Sequence, residues 1–353
     1  MTMLGFRSTT AMTLAAPGFL ALGLMLFAPA AVPQTAAPAC SSQAIGLART
    51  VEINTTGGPR FGHQQYKEQD FLKDGEIVLT FDDGPSSVYT PKVLATLEAH
   101  CTKATFFMVG SRASAEHRIV KDVARRGHTI GTHTWSHANL RSIGAVRAKD
   151  EIELGISGVQ RALGQPIAPF FRFPYLSDST AMKSYLQTRN VAAFSIDADA
   201  YDYKTLNPAE VHRAIINQVT AQRKGIILFH DIQPATAGAL SGLLTDLKAR
   251  GFRVVHMVPD RSGTTQPAYD VMAARDSGKR LVAAAANPMV KRSVTWPMAD
   301  IQSSSPAGRS YDPRQDAYYP PPGAAQPPFP PQPVPQPRRR ADNENWLSRI
   351  FGN

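Results

Sequence analysis

The middle of the chain alternates between two hydrophobic patterns, which predict strands followed by helices. Short apolar runs rich in Val, Ile and Phe are typical of strands buried on both faces of a parallel sheet. The longer stretches between them place apolar residues three or four positions apart, as on the buried face of a helix. The predicted strands are residues 76–81, 104–109, 128–133, 168–173, 191–196, 225–230 and 252–257. The predicted helices are residues 90–100, 115–126, 147–164, 181–190, 208–222 and 237–251.

This repeat favours a (β/α) barrel or a doubly wound sheet, both of the α/β class. The chain lacks a Gly-x-Gly-x-x-Gly fingerprint after its first predicted strand, which disfavours a Rossmann enzyme and a nucleotide cofactor. A barrel is therefore the better interpretation. It requires the catalytic groups to lie at the C-terminal ends of the strands.

Ionisable side chains do follow the predicted strands. Asp82 and Asp83 end the first one, and because neighbours on a strand point in opposite directions, the two carboxylates could have separate functions. A helix cap and a turn residue are the alternative interpretation of this pair. His133 and His137 follow the third strand, and on one helical turn this spacing would let both imidazoles bind one metal ion.

Three further strand ends carry similar groups. Arg172 lies in the sequence RFPY, where an arginine can hold a carboxylate through bidentate hydrogen bonds. The fifth strand is followed by Asp197, Asp199 and Asp202, and the sixth ends at His230. Independent helix caps would not place such groups after five strands, so the pattern indicates an active site.

The motifs TFDDGP, HTWSH, RFPY, DAYDY and LFH, in this order, resemble those of the polysaccharide deacetylases of carbohydrate esterase family 4. This family shares the homology domain of the nodulation chitooligosaccharide deacetylase. The resemblance covers about residues 70–258. It implies a distorted, incomplete (β/α) barrel with about seven parallel strands.

The same resemblance implies metal-dependent removal of N-acetyl groups from a polysaccharide that contains N-acetylglucosamine, with release of acetate. Chitooligosaccharide and peptidoglycan are both possible substrates. One alternative is an O-acetyl esterase that acts on xylan or an exopolysaccharide. A non-catalytic glycan-binding module is the other, although a binding module has no need of both Asp82 and His230.

Residue roles also follow from the resemblance. Asp83, His133 and His137 would bind a divalent metal ion, with zinc expected and cobalt, nickel or manganese as alternatives. Asp82 would be the general base, and His230 would protonate the departing amine.

The remaining motif residues would assist these groups. Arg172 would steady the base, and Asp202 would orient the acid and raise its pKa. The backbone N–H of Tyr175 would contribute to an oxyanion hole. Leu228 and Tyr203 would line the acetyl pocket.

Two positions depart from the family pattern. Tyr203 stands where the family has tryptophan, and Leu176 stands where it usually has glycine. Neither change removes a group that performs chemistry. Both bear on substrate preference.

The N-terminal residues predict export. Residues 1–39 carry one charge, Arg7, before an apolar run and an Ala-rich stretch typical of a cleaved signal peptide. A retained membrane anchor and a lipoprotein attached at Cys40 are the alternatives. Export would place the protein in the periplasm, in the cell envelope or outside the cell, where Cys40 and Cys101 could form a disulfide.

Composition divides the rest of the chain. We expect an N-terminal extension over residues 40–69, a catalytic domain over 70–258 and a linker over 259–305. Residues 306–353 form a basic tail with 12 prolines between positions 306 and 337, a composition typical of disorder.

The net charge of +10 is unevenly distributed, since five of these charges fall after residue 260. The catalytic region has no basic stripe with interleaved aromatic residues, so nucleic acid is not an expected partner. The expected partner is an acetylated glycan, and the basic tail suits contact with the envelope or a membrane surface.

Overall fold

A computed structural model of the protein describes residues 40–275. The chain divides into two compact units, Met1–Asn287 and Pro288–Asn353, and all described residues belong to the first. The predicted signal peptide, the Pro-rich tail and most of the predicted linker lie outside the described residues.

The described region alternates strands and helices from residue 76 onward. The strands are β1 (Arg49–Ile53), β2 (Arg60–Phe61), β3 (Glu76–Asp82), β4 (Thr105–Met108), β5 (Thr129–Thr132), β6 (Phe170–Phe171), β7 (Ala192–Phe194), β8 (Ala198–Asp199), β9 (Gly225–His230) and β10 (Arg253–Pro259). The helices are α1 (Thr90–Ala99), α2 (Gly110–Ala115), α3 (His117–Arg125), α4 (Ala145–Leu163), α5 (Thr180–Thr188), α6 (Pro208–Gln222) and α7 (Pro234–Ala249). A single 3₁₀ turn spans Pro174–Leu176.

All of these strands pair in parallel around β3, which lies between β4 and β9. The sheet continues from β4 through β5, β6 and β7 to β2, and on the other side β8 pairs with β9. Within residues 40–275, β7 and β8 do not pair with each other, so the barrel is open there. The structure therefore confirms the prediction of an incomplete parallel (β/α) barrel.

Neighbouring residues along a strand alternate between two hydrophobic clusters. Val78, Phe107 and Ile226 belong to an inner cluster inside the barrel, whereas Leu79 and Phe81 pack in an outer cluster with the helices. This alternation follows from the twofold period of a strand. Asp82 therefore shares its face of β3 with Val78, and it lies at the C-terminal end of the barrel.

The expected N-terminal extension, residues 40–69, contributes to the same sheet. β1 pairs with β10 over five residues and β2 pairs with β7. Sequence reasoning missed β1 because Arg49–Ile53 alternates polar and apolar residues over only five positions. A disulfide joins Cys40 to Cys101, just beyond α1, with their Cα atoms 5.9 Å apart.

The first part of the expected linker also packs on the barrel. Residues 267–275 are helical, and the Tyr269 hydroxyl donates to Asp150 Oδ1 at 2.6 Å. Arg189 Nη2 donates to the carbonyl oxygen of Thr264 at 2.7 Å. No helix within the described residues combines the length and apolar character needed to cross a bilayer.

Candidate active site

Asp82 is a buried carboxylate at the C-terminal end of β3. It is 2% exposed and lies opposite His230 in the β3–β9 register. Arg172 Nη1 donates to Asp82 Oδ1 at 2.8 Å and also to Thr80 Oγ1 at 2.8 Å. The Thr80 hydroxyl in turn donates to the carbonyl oxygen of Ile227 at 2.5 Å. Asp82 is thus held within a hydrogen-bonded network that links three strands.

Arg172 is completely buried, and its remaining nitrogens bind the main chain. Nε donates to Phe194 O at 3.3 Å and Nη2 to Ser195 O at 3.1 Å, while the guanidinium lies 4.4 Å from the ring centroid of Phe107. The prediction of a bidentate carboxylate contact is therefore wrong. The two backbone carbonyls use the donors that a bidentate pair would need.

Asp83, His133 and His137 form a cluster whose potential ligand atoms all lie within 4.8 Å of one another. Oδ1 of Asp83 is 3.1 Å from His137 Nε2 and 3.5 Å from His133 Nε2. Two imidazole nitrogens and one carboxylate oxygen converging in this way are a common ligand set of catalytic zinc sites, which keep a further position open.

The loops that build this cluster differ from the sequence expectation. The histidines converge through an irregular loop rather than a helical turn, because Thr134 and His137 adopt φ values of 64° and 65°. Asp83 also has a left-handed backbone, with φ 73°. This turn brings both carboxylates toward His133, since Asp82 Oδ2 lies 3.8 Å from its Nε2. The two acids therefore do not point away from each other.

The hydrogen bonds around the cluster fit a metal ion. His133 Nδ1 donates to the carbonyl oxygen of Arg172 at 2.8 Å, which leaves its Nε2 as a lone pair facing Asp83. His137 Nδ1 lies 3.1 Å from the Tyr175 hydroxyl, within hydrogen-bond reach. Oδ1 of Asp83 is buried and accepts no hydrogen bond from the described residues. A divalent cation would satisfy this carboxylate oxygen and both lone pairs.

Burial and neighbouring charges shift the pKa of each acid differently. Burial raises the pKa of Asp82 to about 6, against the opposing influence of Arg172 and His230. Burial would also raise the pKa of Asp83, but the imidazoles of His137, His230 and His133 outweigh it and hold that pKa well below its usual value. Burial keeps the pKa of His133 well below that of a free imidazole, which favours the neutral form that binds metals.

His230 lies beside Asp82, at the end of the neighbouring strand β9, and is held by Asp202. Its Nδ1 donates to Asp202 Oδ1 at 2.7 Å, and its backbone N–H donates to Asp202 Oδ2, also at 2.7 Å. The Thr236 hydroxyl donates to the same carboxylate, which is completely buried. Burial lowers the pKa of His230, but Asp202, Asp83 and Asp82 together raise it to about 10.

The predicted pocket residues surround His230 and the cluster. Tyr203 packs edge-on against His230 with ring centroids 5.6 Å apart, and Leu228 lies two positions before His230 on the same face of β9. Tyr175 is 50% exposed at the rim. Tyr175 and Leu176 adopt φ values of 58° and 51°. The pair Cys40–Cys101 has no part in this site, because α1 carries Cys101 to the other end of the barrel.

Sequence reasoning missed the groups that support the Asp83 loop. Asp231 is completely buried and accepts a hydrogen bond of 2.5 Å from Thr90 Oγ1. The Asp231 carboxylate lies so close to Gly84 that a Cβ atom at position 84 would overlap it. Asp231 lies nearly 150 residues after Gly84, so no local pattern in the sequence pairs the two residues.

Comparisons with known proteins identify relatives of this chain. A family model described as polysaccharide deacetylase matches residues 71–193. A peptidoglycan-N-acetylglucosamine deacetylase of Bacillus cereus is 34% identical over 189 residues, which cover 51% of this chain and 84% of that protein. A chitooligosaccharide deacetylase of Azorhizobium caulinodans is 32% identical over 194 residues, which cover 50% of this chain and 90% of that protein.

Other relatives extend beyond the matched region. A peptidoglycan-N-acetylglucosamine deacetylase of Listeria monocytogenes is 34% identical over 182 residues, but the match spans only 37% of that protein and 51% of this chain. Among solved structures, a peptidoglycan deacetylase of Bdellovibrio bacteriovorus superposes with a TM-score of 0.55 at 30% identity. That superposition covers 60% of this chain and 59% of the other. From its motifs, its barrel and these similarities, the chain belongs to the polysaccharide deacetylases of carbohydrate esterase family 4.

Proposed function

We propose that the protein is a metal-dependent hydrolase that removes N-acetyl groups from an N-acetylglucosamine-containing polysaccharide and releases acetate. The observation that carries this proposal is the placement of Asp82 and His230 side by side, at the ends of the paired strands β3 and β9, beside the Asp83–His133–His137 cluster. A proton acceptor and a proton donor next to a metal-ligand set are what amide hydrolysis requires. A glycan-binding module would need neither group.

The cluster would hold one divalent cation through Asp83, His133 and His137, and we propose zinc. When bound, such an ion polarises the acetyl carbonyl and activates water for attack. The chain supports this ligand set through the Arg172 carbonyl, which fixes the proton of His133 on Nδ1. It also supports it through the Tyr175 hydroxyl beside His137.

Asp82 would accept the proton of the attacking water on the oxygen that faces the cluster. Its other oxygen, Oδ1, is occupied by Arg172, so Oδ2 is the free acceptor on the side of His133. Arg172 itself is fixed by backbone carbonyls and cannot swing away. The backbone N–H of Tyr175 would stabilise the negative charge that develops on the acetyl oxygen.

His230 would donate a proton to the departing amine from Nε2. Asp202 accepts the hydrogen bond from Nδ1, which orients the ring and favours its protonated form. Thr236 and the His230 backbone fix the Asp202 carboxylate in turn. Leu228 and Tyr203 would line the acetyl pocket, where the Tyr203 hydroxyl already donates to Asp199 Oδ2 at 3.2 Å.

An acetate-release assay with the purified protein tests this function. The substrates are N-acetylchitooligosaccharides, peptidoglycan and acetylxylan, each assayed before and after chelation of metal. We expect acetate from the two N-acetylated glycans, loss of activity on chelation, and restoration by zinc or cobalt. Acetate from acetylxylan alone would indicate an O-acetyl esterase, and undiminished turnover without metal would refute the proposed site.

We also propose that the protein acts outside the cytoplasm. The disulfide between Cys40 and Cys101 supports this, because such bonds persist in oxidising compartments. Residues 1–39 would be the export signal, and the basic tail over 306–353 would contact the envelope. Cell fractionation of the full-length protein, with mass spectrometry of its N-terminus, would locate the protein and show whether the signal is cleaved.

A further inference from the structure

The barrel is open between β7 and β8, and residues 61–66 cover part of this opening. These residues, called here the seam segment, pair with the chain that follows β7. Ser195 N donates to Phe61 O at 2.7 Å, and Gln64 N donates to Ile196 O at 3.0 Å. Gly62 allows the close approach, because a Cβ atom there would lie 2.5 Å from the carbonyl carbon of Ser195.

Gln65 extends from the seam segment to the rim of the candidate active site. Its Nε2 donates to the carbonyl oxygen of Leu176 at 2.6 Å, and its Oε1 accepts from the Ser195 hydroxyl at 2.8 Å. Because each end of the amide has a partner of the opposite kind, its orientation is fixed. The side chain thus joins two segments that lie 111 and 130 residues away in sequence.

The Leu176 carbonyl belongs to a turn that needs such support. Tyr175 and Leu176 both adopt left-handed backbone conformations, with φ 58° and 51°, which L-residues rarely occupy in succession. A glycine would adopt this conformation readily, but the chain has leucine at 176. Contacts from outside the turn must therefore hold it in place.

The other end of Gln65 lies beside the Asp82 network. The carbonyl oxygen of Ser195 accepts the hydrogen bond from Arg172 Nη2, and Arg172 holds Asp82. Gln65 accordingly spans the short distance between the turn that carries Tyr175 and the strand extension that fixes Arg172. Tyr66, its neighbour, is buried and donates to Asp178 Oδ2 at 2.8 Å, which anchors the seam segment just beyond the same turn.

We propose that Gln65 is a positioning residue of the active site, which holds the turn Pro174–Leu176 in its left-handed conformation and thereby sets the place of Tyr175 at the substrate rim. The inference rests on the proposed deacetylase function for its catalytic consequence, but not for the conformation of the turn. It assigns an active-site role to a residue that precedes the region matched by the family model, residues 71–193.

Gln65→Glu is the most specific variant, because it preserves the size of the side chain and the acceptor for the Ser195 hydroxyl but cannot donate to the carbonyl oxygen of Leu176. Gln64→Glu is the matched control, since the Gln64 side chain makes no hydrogen bond to any residue within 40–275, and it introduces the same charge one position away. Gln65→Ala removes both contacts. Leu176→Gly relieves the backbone conformation and should rescue the Gln65 variants.

Hydrogen exchange of the amides in residues 173–180 gives a readout that does not depend on activity. We expect Gln65→Glu and Gln65→Ala to speed this exchange about fivefold or more, with α7 unchanged as an internal reference. On the best substrate we expect kcat/KM to fall about three- to tenfold, mainly through a higher KM. Gln64→Glu should alter neither quantity, and Leu176→Gly combined with Gln65→Ala should recover most of the lost kcat/KM.

The exchange and activity results test the role of Gln65 separately from the proposed deacetylase function. Unchanged exchange of residues 173–180 in Gln65→Glu overturns the inference, whatever the activity of the protein. Faster exchange in a protein that releases acetate from none of the glycans supports the hold on the turn and refutes the proposed function. Faster exchange without any change in kcat/KM overturns the role of Gln65 at the active site.

Discussion

The two ends of the barrel satisfy their buried charges in different ways. At the end where the strands begin, Glu76 is buried against Arg49, which donates to it through Nε at 2.8 Å and through Nη2 at 2.7 Å. The Lys73 N–H donates to the same carboxylate at 2.8 Å. At the end where the strands finish, Asp83 and two imidazoles converge without a proton donor among the described residues for Asp83 Oδ1. The Glu76 carboxylate is thus satisfied by the chain itself, whereas the Asp83 cluster is arranged for a ligand.

The two ends of the barrel also differ in where the backbone adopts positive φ values. Among the described residues, nine that are not glycine have positive φ. Three of them directly follow helices at the end where the strands begin, an ordinary way for a helix to terminate: Cys101, Asn190 and Arg223. The other six lie in the loops around the candidate active site: Asp83, Thr134, His137, Tyr175, Leu176 and Tyr201. Unfavourable backbone conformations are thus concentrated where side chains must converge on a ligand.

The largest effect expected from this comparison is on catalysis. Asp82→Asn preserves shape but removes the proton acceptor, so we expect kcat to fall about 10³-fold. The melting temperature should fall as well, because the variant leaves the buried guanidinium of Arg172 without its counter-charge. Acetate release and thermal unfolding measure the two quantities. A variant that keeps more than a tenth of the activity would contradict the role given to Asp82.

The disulfide should have a large effect on stability alone. Cys40 and Cys101 are 61 residues apart, and closing a loop of that length contributes about 4 kcal/mol in the chain-entropy account. The double variant Cys40→Ser, Cys101→Ser should therefore lower the free energy of unfolding by about this amount in urea. Its kcat under native conditions should stay within about twofold. A loss below about 1 kcal/mol would argue against the entropic account here.

Glu76→Gln is the counterpart of Asp82→Asn at the other end. Removing one partner of a buried ion pair leaves the other uncompensated, and because Arg49 is partly exposed we expect a loss of about 3 kcal/mol in unfolding free energy. The proposed acetate-releasing activity of the folded protein should be unchanged. A fall in kcat comparable to that of Asp82→Asn would contradict the interpretation that Glu76 contributes to stability and Asp82 to catalysis.

The same glutamate predicts a pH dependence of stability. The hydrogen bond from Arg49, against the effect of burial, lowers the pKa of Glu76 from 4.5 to about 2. A lowered folded-state pKa gives stability that is present above pH 4.5 and is lost as the pH falls toward 2. Protonation of Glu76 should lower the free energy of unfolding by about 2 kcal/mol between pH 5 and pH 3. Urea unfolding at both pH values should show a smaller pH dependence in Glu76→Gln than in the wild-type protein.

The smallest expected effect concerns the hydroxyl beside His137, a proposed metal ligand. Tyr175→Phe removes the hydroxyl beside His137 Nδ1, and the loss of such a partner should weaken zinc binding about tenfold. Competition with a chromogenic chelator measures this affinity. Tyr201→Phe is the matched control, because Tyr201 is also an exposed rim tyrosine but lies against Tyr203 rather than against His137. Equal effects of the two variants would remove the case for a specific role of Tyr175.

Much of the barrel could be predicted because its strands bury both faces. Runs such as Ile77–Phe81 and Ile226–Phe229 carry this signal locally, and the helices between them have clear apolar periods. β1, β2 and β8 were missed because they are short or half exposed, so their pairing depends on the rest of the sheet. The helix α2 was missed because its six residues contain little apolar pattern.

Residue types at the site could be predicted, whereas their geometry could not. The motifs gave the acids, imidazoles and arginine, because these groups stand out after apolar strands. The left-handed turns at Asp83 and His137 depend on contacts from distant segments, and no local pattern encodes them. The same holds for Gln65, whose partners lie more than 100 residues away.

The pairing of β1 with β10 also bears on the order in which the protein can be assembled during synthesis. Arg49 pairs with Val255, so the earliest strand must wait for about 200 further residues before its partner exists. At ribosomal rates this is on the order of 10–40 s. Throughout that interval Val51 and Ile53 have no strand beside them, so the nascent chain exposes an unpaired edge to chaperones and to other chains. The first strand to be synthesised is therefore among the last to gain its partner in the sheet.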